Sequence, residues 1–281
     1  MLVYIHKIVK FKLNKDISLI FVGDVVGEIG MNCLIEQLPK IKEKYSANAI
    51  VVNGENVWEG KGINEEEANK LFDAGVHVIT TGNHIWENWK SRPLLGKDRR
   101  VIRPMNYPAG NAGYGFTTFN ADNGTKVGVL QLQGRTFMQS IDCPFNSADF
   151  AIDKLKSETN INIVDFHAEA TAEKISMGWY LDGKVSALLG THTHIQTADA
   201  QILPNGTGYI TDVGMTGPYD SVLGMRKDIA IKRFQLQTAH KFQVAENDLK
   251  VAFAHLNIDA ATGQTINITS HVIPNYENQV I

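Results

Sequence analysis

Cysteine occurs only twice in 281 residues, at Cys33 and Cys143. The pair is far apart and forms no C-x-x-C, which excludes a disulfide framework and a thiolate zinc site and points to a reducing compartment, the cytoplasm. Long apolar runs are also missing. None approaches the ~18 residues that span a bilayer, so no membrane segment is expected. Residues 1–16 mix Lys7, Lys10, Lys12 and Lys15 with apolar side chains. They hold neither a long continuous apolar stretch nor a small-residue cleavage site, which excludes a signal peptide and leaves an N-terminal extension or an edge strand. An excess of one charge is absent as well. A formal net charge of −3 gives no extended nucleic-acid surface, which needs clustered Lys and Arg. A small phosphorylated ligand stays compatible, because bound metals add positive charge that composition does not count.

What is present is an ordinary globular balance, 43% hydrophobic and 20% charged. The first half alternates strand-like and helix-like segments. Residues 17–22 read as a strand, followed by a loop over 23–30 and a helix with Met31, Leu34, Ile35, Leu38 and Ile41 on one face. Residues 49–52 form the next strand. Asn64 then caps a helix over 65–72 with Glu67 at the capping-box position, and 76–80 is a third strand. Continuous apolar strands separated by helices indicate a mostly parallel sheet buried on both faces. Further on, Asp122-Asn123-Gly124 marks a hairpin between strands at 114–119 and 126–132. Strand 161–166, helix 169–180 and strand 185–189 follow; residues 203–207 turn between strands, and 249–273 closes as a hairpin around Ala261-Thr262-Gly263. No linker or repeat divides the chain, so residues 17–281 are read as a single α/β domain with two sheets and helices outside.

Five strand ends carry the chemistry. Gly23-Asp24, Gly54-Glu55-Asn56, Gly82-Asn83-His84, His167 and Gly190-Thr191-His192-Thr193-His194 each follow an apolar run. Taken singly, Asp24 caps a helix, Glu55-Asn56 is a polar loop, Asn83-His84 is a turn, and His167 is a core histidine. Taken together they are groups that an α/β sheet gathers beyond the carboxyl ends of its strands. Imidazole, carboxylate and amide oxygen are the mixed donors of a transition-metal site, and several such clusters suggest a two-metal hydrolase. Two imidazoles one residue apart behind a glycine are the most specific signal. His6, His77, His240, His255 and His271 lack such surroundings and are left outside the site. The run Glu65-Glu66-Glu67 at a helix start is expected to complement the macrodipole and face solvent.

These motifs, in this order, resemble those of calcineurin-like metallophosphoesterases. Two details depart from that superfamily. Asp24 is followed by Val25 and Val26 instead of the usual Asp-x-His, and Glu55-Asn56 stands where Gly-Asp is usual. Both match one subgroup, the YmdB-like phosphodiesterases of bacteria, as do Gly82-Asn83-His84-Ile85-Trp86 and Gly134-Arg135. The likeness covers nearly all of the chain after residue 17. It implies a four-layer α/β/β/α sandwich of two mixed sheets and a centre of two metal ions, most often iron or manganese, with zinc also compatible. It implies phosphodiester hydrolysis, notably of cyclic nucleotides, either 2′,3′ or 3′,5′.

Carried over by position, the resemblance gives one metal Asp24, Glu55, Asn56 and His194, and the other Glu55, Asn83, His167 and His192, so that Glu55 bridges. A metal-bridging hydroxide attacks phosphorus, and His84, beside a ligand without being one, is the general acid. Arg135 is a candidate contact to a phosphate oxygen. Trp58, Trp86, Tyr107, Phe137 and Tyr219 are candidate walls for a base, and residues 104–114 a rim loop. Three alternatives remain: a regulatory protein that binds a nucleotide or a partner with slow hydrolysis, a phosphomonoesterase on the same metals, and an amidase or other hydrolase with one metal. A homo-oligomer is left open.

Overall fold

The first strand, β1 (Ile17–Val22), shows how the layers are built. Ile17, Leu19 and Phe21 join one core cluster, whereas Ile20 and Val22 join another. Strands alternate their side chains across the sheet, so a strand apolar on both faces is covered on both. In the computed structural model, which describes residues 16–274, this recurs in β3 (Ala49–Asn53). The expected N-terminal extension lies outside the described residues apart from Asp16.

The first sheet also contains β2 (Asp24–Val25), β4 (Val78–Thr80), β11 (Met215–Pro218), β12 (Leu249–Ile258) and β13 (Thr265–Pro274), in the order β2-β11-β12-β1-β3-β4 with β13 on the free edge of β12. The second runs β5-β6-β7-β8-β10-β9. Its strands are β5 (Phe116–Asn120), β6 (Lys126–Gln133), β7 (Asn162–His167), β8 (Ala187–Thr191), β9 (Gln201–Ile202) and β10 (Gly208–Ile210). β1, β3 and β4 are parallel, as are β6, β7, β8 and β10, and antiparallel partners close the sheets. Helices α1 (Gly27–Lys44), α2 (Glu65–Asp73) and α3 (Ser91–Lys97) cover the first sheet through Met31, Leu34, Leu71 and Leu95. Helices α4 (Pro144–Lys156) and α5 (Thr171–Leu181) cover the second through Ala148, Leu155, Met177 and Leu181. A third core cluster fills the space between the sheets. The result is the four-layer α/β/β/α sandwich. No helix among the described residues is long and apolar enough to cross a membrane.

The α2 capping box forms as read: Glu67 N–H donates to Asn64 Oδ1 at 3.1 Å and Asn64 N–H to Glu67 Oε2 at 3.0 Å. Its carboxylates do not all face solvent, however. Glu67 is buried, and burial pushes its carboxyl up to about 7. Helix α1 begins at Gly27, inside the stretch read as a loop. Val26 offers no side-chain cap, so the usual start signal is absent. Gly30 serves packing instead, since a Cβ there would stand 2.7 Å from the Thr216 carbonyl oxygen. A sixth helix, α6 (Lys227–Leu236), buries only Ala230 and therefore shows no apolar stripe in sequence.

Candidate metal centre

Parallel strands place their carboxyl ends at one rim, and both sheets spend theirs on the same point. β1 leads through Gly23 to Asp24 and β3 through Gly54 to Glu55 and Asn56. β4 leads through Gly82 into a short 3-10 turn, Asn83–Trp86, while β7 ends on His167 and β8 runs on to His192 and His194. Asn53 ties the sheets together there, its Nδ2 donating to Asp165 Oδ2 at 3.0 Å and its Oδ1 accepting Glu55 N–H at 3.2 Å. Gly82 is needed for space. A Cβ on it would lie 2.3 Å from His167 Cδ2 and 2.4 Å from Glu55 Oε2. Gly82→Ala is expected to destabilise the protein by about 1–3 kcal/mol through overpacking, read as a lowered midpoint in thermal denaturation.

His167 sits at the centre, fully buried. Its Nδ1 is 2.9 Å from Thr191 Oγ1, which donates to Asp165 Oδ1 at 2.7 Å. With its own proton given to Asp165, Thr191 accepts the Nδ1–H, and this turns Nε2 to the site. Around Nε2 stand Glu55 Oε1 at 2.9 Å, His192 Nδ1 at 3.0 Å and Asn83 Oδ1 at 3.1 Å. One ring nitrogen carries at most one proton, so three such neighbours cannot all be satisfied by hydrogen bonds. Among the described residues, Glu55, His167 and His192 offer ligand atoms that all lie within 4.8 Å of one another.

A second set adjoins the first. His194 Nδ1 donates to the Leu223 carbonyl at 3.1 Å, leaving Nε2 free to face Asn56 Nδ2 at 3.2 Å and Asp24 Oδ1 at 4.0 Å. Asp24 Oδ2 accepts His192 N–H at 3.0 Å, but Oδ1 is buried with no hydrogen-bond partner. A buried carboxylate oxygen without a donor is costly. A half-turn of the Asn56 amide would bring its oxygen to the same point. Unpartnered Asp24 Oδ1 and the crowded lone pairs fit a cation better than any proton arrangement.

Burial alone would raise the Glu55 carboxyl, yet adjacent His167, with His84 and His192, holds it at about 2. Burial would lower His167, and the Glu55 carboxylate reverses this to about 9. His192 is pushed down to about 3 by burial and by His167. Burial raises Asp24, and brings Asp165 to about 7. Glu55 and His167 thus favour a carboxylate–imidazolium pair, whose proton a bound cation would replace. His192 and His194 have φ of 102° and 66°, a region costly for non-glycine residues and frequent at functional sites.

His84 lies beside this centre. Its backbone N–H donates to Glu55 Oε2 at 3.1 Å, and its Nδ1 is 2.7 Å from Glu87 Oε1. With Asn56, His192, His194, Leu223, Arg233, Phe234 and Phe242 it lines a cavity of about 710 Å3. Arg135 is not among the lining residues. Its backbone N–H donates to Glu173 Oε1 at 3.0 Å and its Nη2 lies 3.7 Å from Cys143 Sγ.

None of the five aromatic residues expected as walls lines this cavity. Trp86 packs on Tyr107 with ring centroids 5.0 Å apart, Tyr219 donates to the Met215 carbonyl, and Trp58 lines a neighbouring cavity. Phe137 is exposed, and Met105, Tyr107 and Gly110 of the expected rim segment line a separate cavity with Cys143. Of the excluded histidines, His77 accepts Ile50 N–H at 3.1 Å, His255 lies 3.0 Å from Ser18 Oγ, and His271 packs on Phe253. His240 lies 3.3 Å from Thr238 Oγ1, and His6 is outside the described residues. Sequence reading missed Asp165, Thr191 and Asn53 behind the ligands. A lone carboxylate within the strand segment Ile163-Val164-Asp165-Phe166 was the available signal. It gave no sign of Arg233 and Phe234, because α6 has no stripe to orient.

Known proteins resemble this chain over most of its length. The family model described as YmdB-like protein matches residues 20–271. A 2′,3′-cyclic-nucleotide 2′-phosphodiesterase of Bacillus subtilis (strain 168) is 44% identical over 250 residues, 89% of this chain and 94% of the relative. A putative phosphatase/phosphodiesterase of Mycoplasma pneumoniae is 35% identical over 263 residues, 90% of this chain and 92% of the relative. Among solved structures, a hypothetical protein from Thermus thermophilus superposes with TM-score 0.86 at 36% identity, over 92% of this chain and 99% of the other. A structure described as a novel phosphatase from Mycoplasma pneumoniae gives TM-score 0.87 at 33% identity, over 93% and 95%. Matched by the family model over residues 20–271 and alike in fold and in sequence over almost the full described length, the chain belongs to the YmdB-like protein family.

Proposed function

We propose that this phosphoesterase is a two-metal phosphodiesterase of small substrates, with 2′,3′-cyclic nucleotides as its first class and 3′,5′-cyclic nucleotides as its second. The observation that carries this reading is two adjoining donor sets: Glu55, Asn83 and His192 crowded around His167 Nε2, and beside them Asp24 Oδ1, buried without a hydrogen-bond partner near His194 Nε2. Asp24, Glu55, Asn56 and His194 would hold one cation, and Glu55, Asn83, His167 and His192 the other, with Glu55 shared between them. Imidazole, carboxylate and amide donors suit iron or manganese, and zinc as well. When bound, the metals supply positive charge to the phosphoryl oxygens and lower the pKa of the attacking water.

The chain's own groups do the rest. Asn56 and Asn83 add coordination without negative charge, so the centre stays attractive to phosphate. A cavity of about 710 Å3 has the size of a nucleotide site. Phe234, 76% exposed on its wall, offers a ring face to a base, and Arg233 beside it a guanidinium to an anionic oxygen. His84, oriented by Glu87, donates a proton to the departing alkoxide. Cys33 and Cys143 are both free thiols, which fits a cytoplasmic setting.

Metal content and hydrolysis of bis-p-nitrophenyl phosphate and 2′,3′-cyclic AMP, measured on one purified sample, test the reading. The expected result is two metal equivalents per chain, with turnover lost on chelation and regained with Mn2+ or anaerobic Fe2+. One equivalent or none, with no turnover after reconstitution, would sink it. Faster cleavage of p-nitrophenyl phosphate than of either diester would make the enzyme a monoesterase.

A further inference from the structure

Behind the histidine turn lies an ion pair that the proposed chemistry does not use. Lys174 of α5 and Asp212, between β10 and β11, are both fully buried, with Lys174 Nζ 2.6 Å from Asp212 Oδ2. A buried ion pair is rarely worth more to stability than apolar side chains of similar size. This one also does something that apolar side chains cannot. Lys174 Nζ donates to the Thr191 carbonyl at 2.7 Å, while Asp212 Oδ2 accepts Thr193 N–H at 3.0 Å and the Thr193 hydroxyl at 2.9 Å. Asp212 Oδ1 accepts Gly214 N–H at 2.8 Å, which anchors the carboxylate to the chain entering β11.

Both backbone groups held this way flank His192, whose φ is 102°, and His194 follows at 66°. Neither value is one that a free histidine backbone favours. The turn keeps it because the residues on either side are fastened to one buried charge pair, and His192 N–H to Asp24. The neighbouring Glu173 carboxylate accepts N–H groups from Arg135 and Thr136. The first turn of α5 therefore holds two loops at the rim.

We propose that Lys174 and Asp212 form a positioning clamp. The pair fixes the strained turn so that the His192 and His194 imidazoles stand at cation-binding distance, and metal affinity is what it secures. This rests on the two-metal reading above. Without the clamp, residues 192–194 relax to negative φ and the imidazoles swing off the site, while the Glu55–His167 side stays in place.

The test compares Lys174→Met and Thr193→Val with wild type and with Leu38→Ala, a core truncation about three turns along α1 from its start at Gly27. Binding of Mn2+ to each metal-free protein is measured by calorimetry below its unfolding temperature, and the absorption bands of the Co2+-loaded forms are recorded. Loss of a group that orients metal ligands typically weakens affinity about 10–100-fold. That loss is expected for Lys174→Met, and a smaller one for Thr193→Val, which keeps its backbone N–H to Asp212, with altered Co2+ bands in both. Leu38→Ala, although destabilised, is expected to keep wild-type affinity and spectrum. Wild-type affinity and bands in Lys174→Met would overturn the clamp, as would an equal loss in Leu38→Ala. If Lys174→Met does not fold, Thr193→Val carries the same comparison with the same two outcomes. Absence of Mn2+ binding by wild type would overturn the metal reading and the clamp together, whereas normal wild-type binding with unaffected variants would overturn the clamp alone.

Discussion

Replacing Glu55 with glutamine is expected to lower diester turnover by about 10³-fold, the scale lost with a group that stabilises transition-state charge, and to strip metal from the protein. The side chain is fully buried, with Oε1 against His167 Nε2 at 2.9 Å and Oε2 accepting His84 N–H at 3.1 Å. Glutamine keeps the volume and removes the charge. Its NH2 must also face either the His167 ring nitrogen or the His84 N–H, and against the latter a donor meets a donor. In the proposed centre the same residue bridges both cations, so its loss weakens both at once. Metal analysis and kcat/KM on bis-p-nitrophenyl phosphate check this, with circular dichroism to confirm folding. Full metal content and wild-type turnover in Glu55→Gln would refute the bridging role.

Glu55 stands out in the sequence because of where strand ends meet in an α/β fold. An apolar run announces a strand, and polar groups just after it lie beyond its carboxyl end. The strands ending near Asp24, Glu55, Asn83, His167 and His192 therefore expose these candidate ligands to sequence reading. What stays hidden is whatever acts across long sequence distances. Nothing near Thr191 tells that it bonds Asp165, or that Lys174 reaches its carbonyl. These are pairings between neighbouring elements with no local pattern. Glycine is a true guide at Gly82, where space is short, and a false one at Gly30, where packing inside a helix looks like a loop. α6 is invisible because a helix that buries one residue has no periodicity to detect.

His84→Ala is the sharper probe, because it separates holding metal from doing chemistry. The variant keeps the backbone N–H that supports Glu55 Oε2, so metal content should match wild type. What it loses is an imidazole on the cavity wall, partly exposed and oriented by Glu87, which is itself paired with Lys61. With Nδ1 engaged by Glu87, Nε2 is the nitrogen left for substrate. Proton donation matters most when the leaving group is a strong base. A ribose alkoxide needs it; p-nitrophenolate leaves readily without it. The loss in kcat is therefore expected to be about 10²–10⁴-fold on a 2′,3′-cyclic nucleotide and distinctly smaller on bis-p-nitrophenyl phosphate. Glu87→Gln, which keeps a hydrogen-bond acceptor without the charge, should fall between wild type and His84→Ala on the cyclic substrate. Equal losses on both substrates would show that His84 stabilises charge on the phosphoryl group and leaves the alkoxide to take its proton from water.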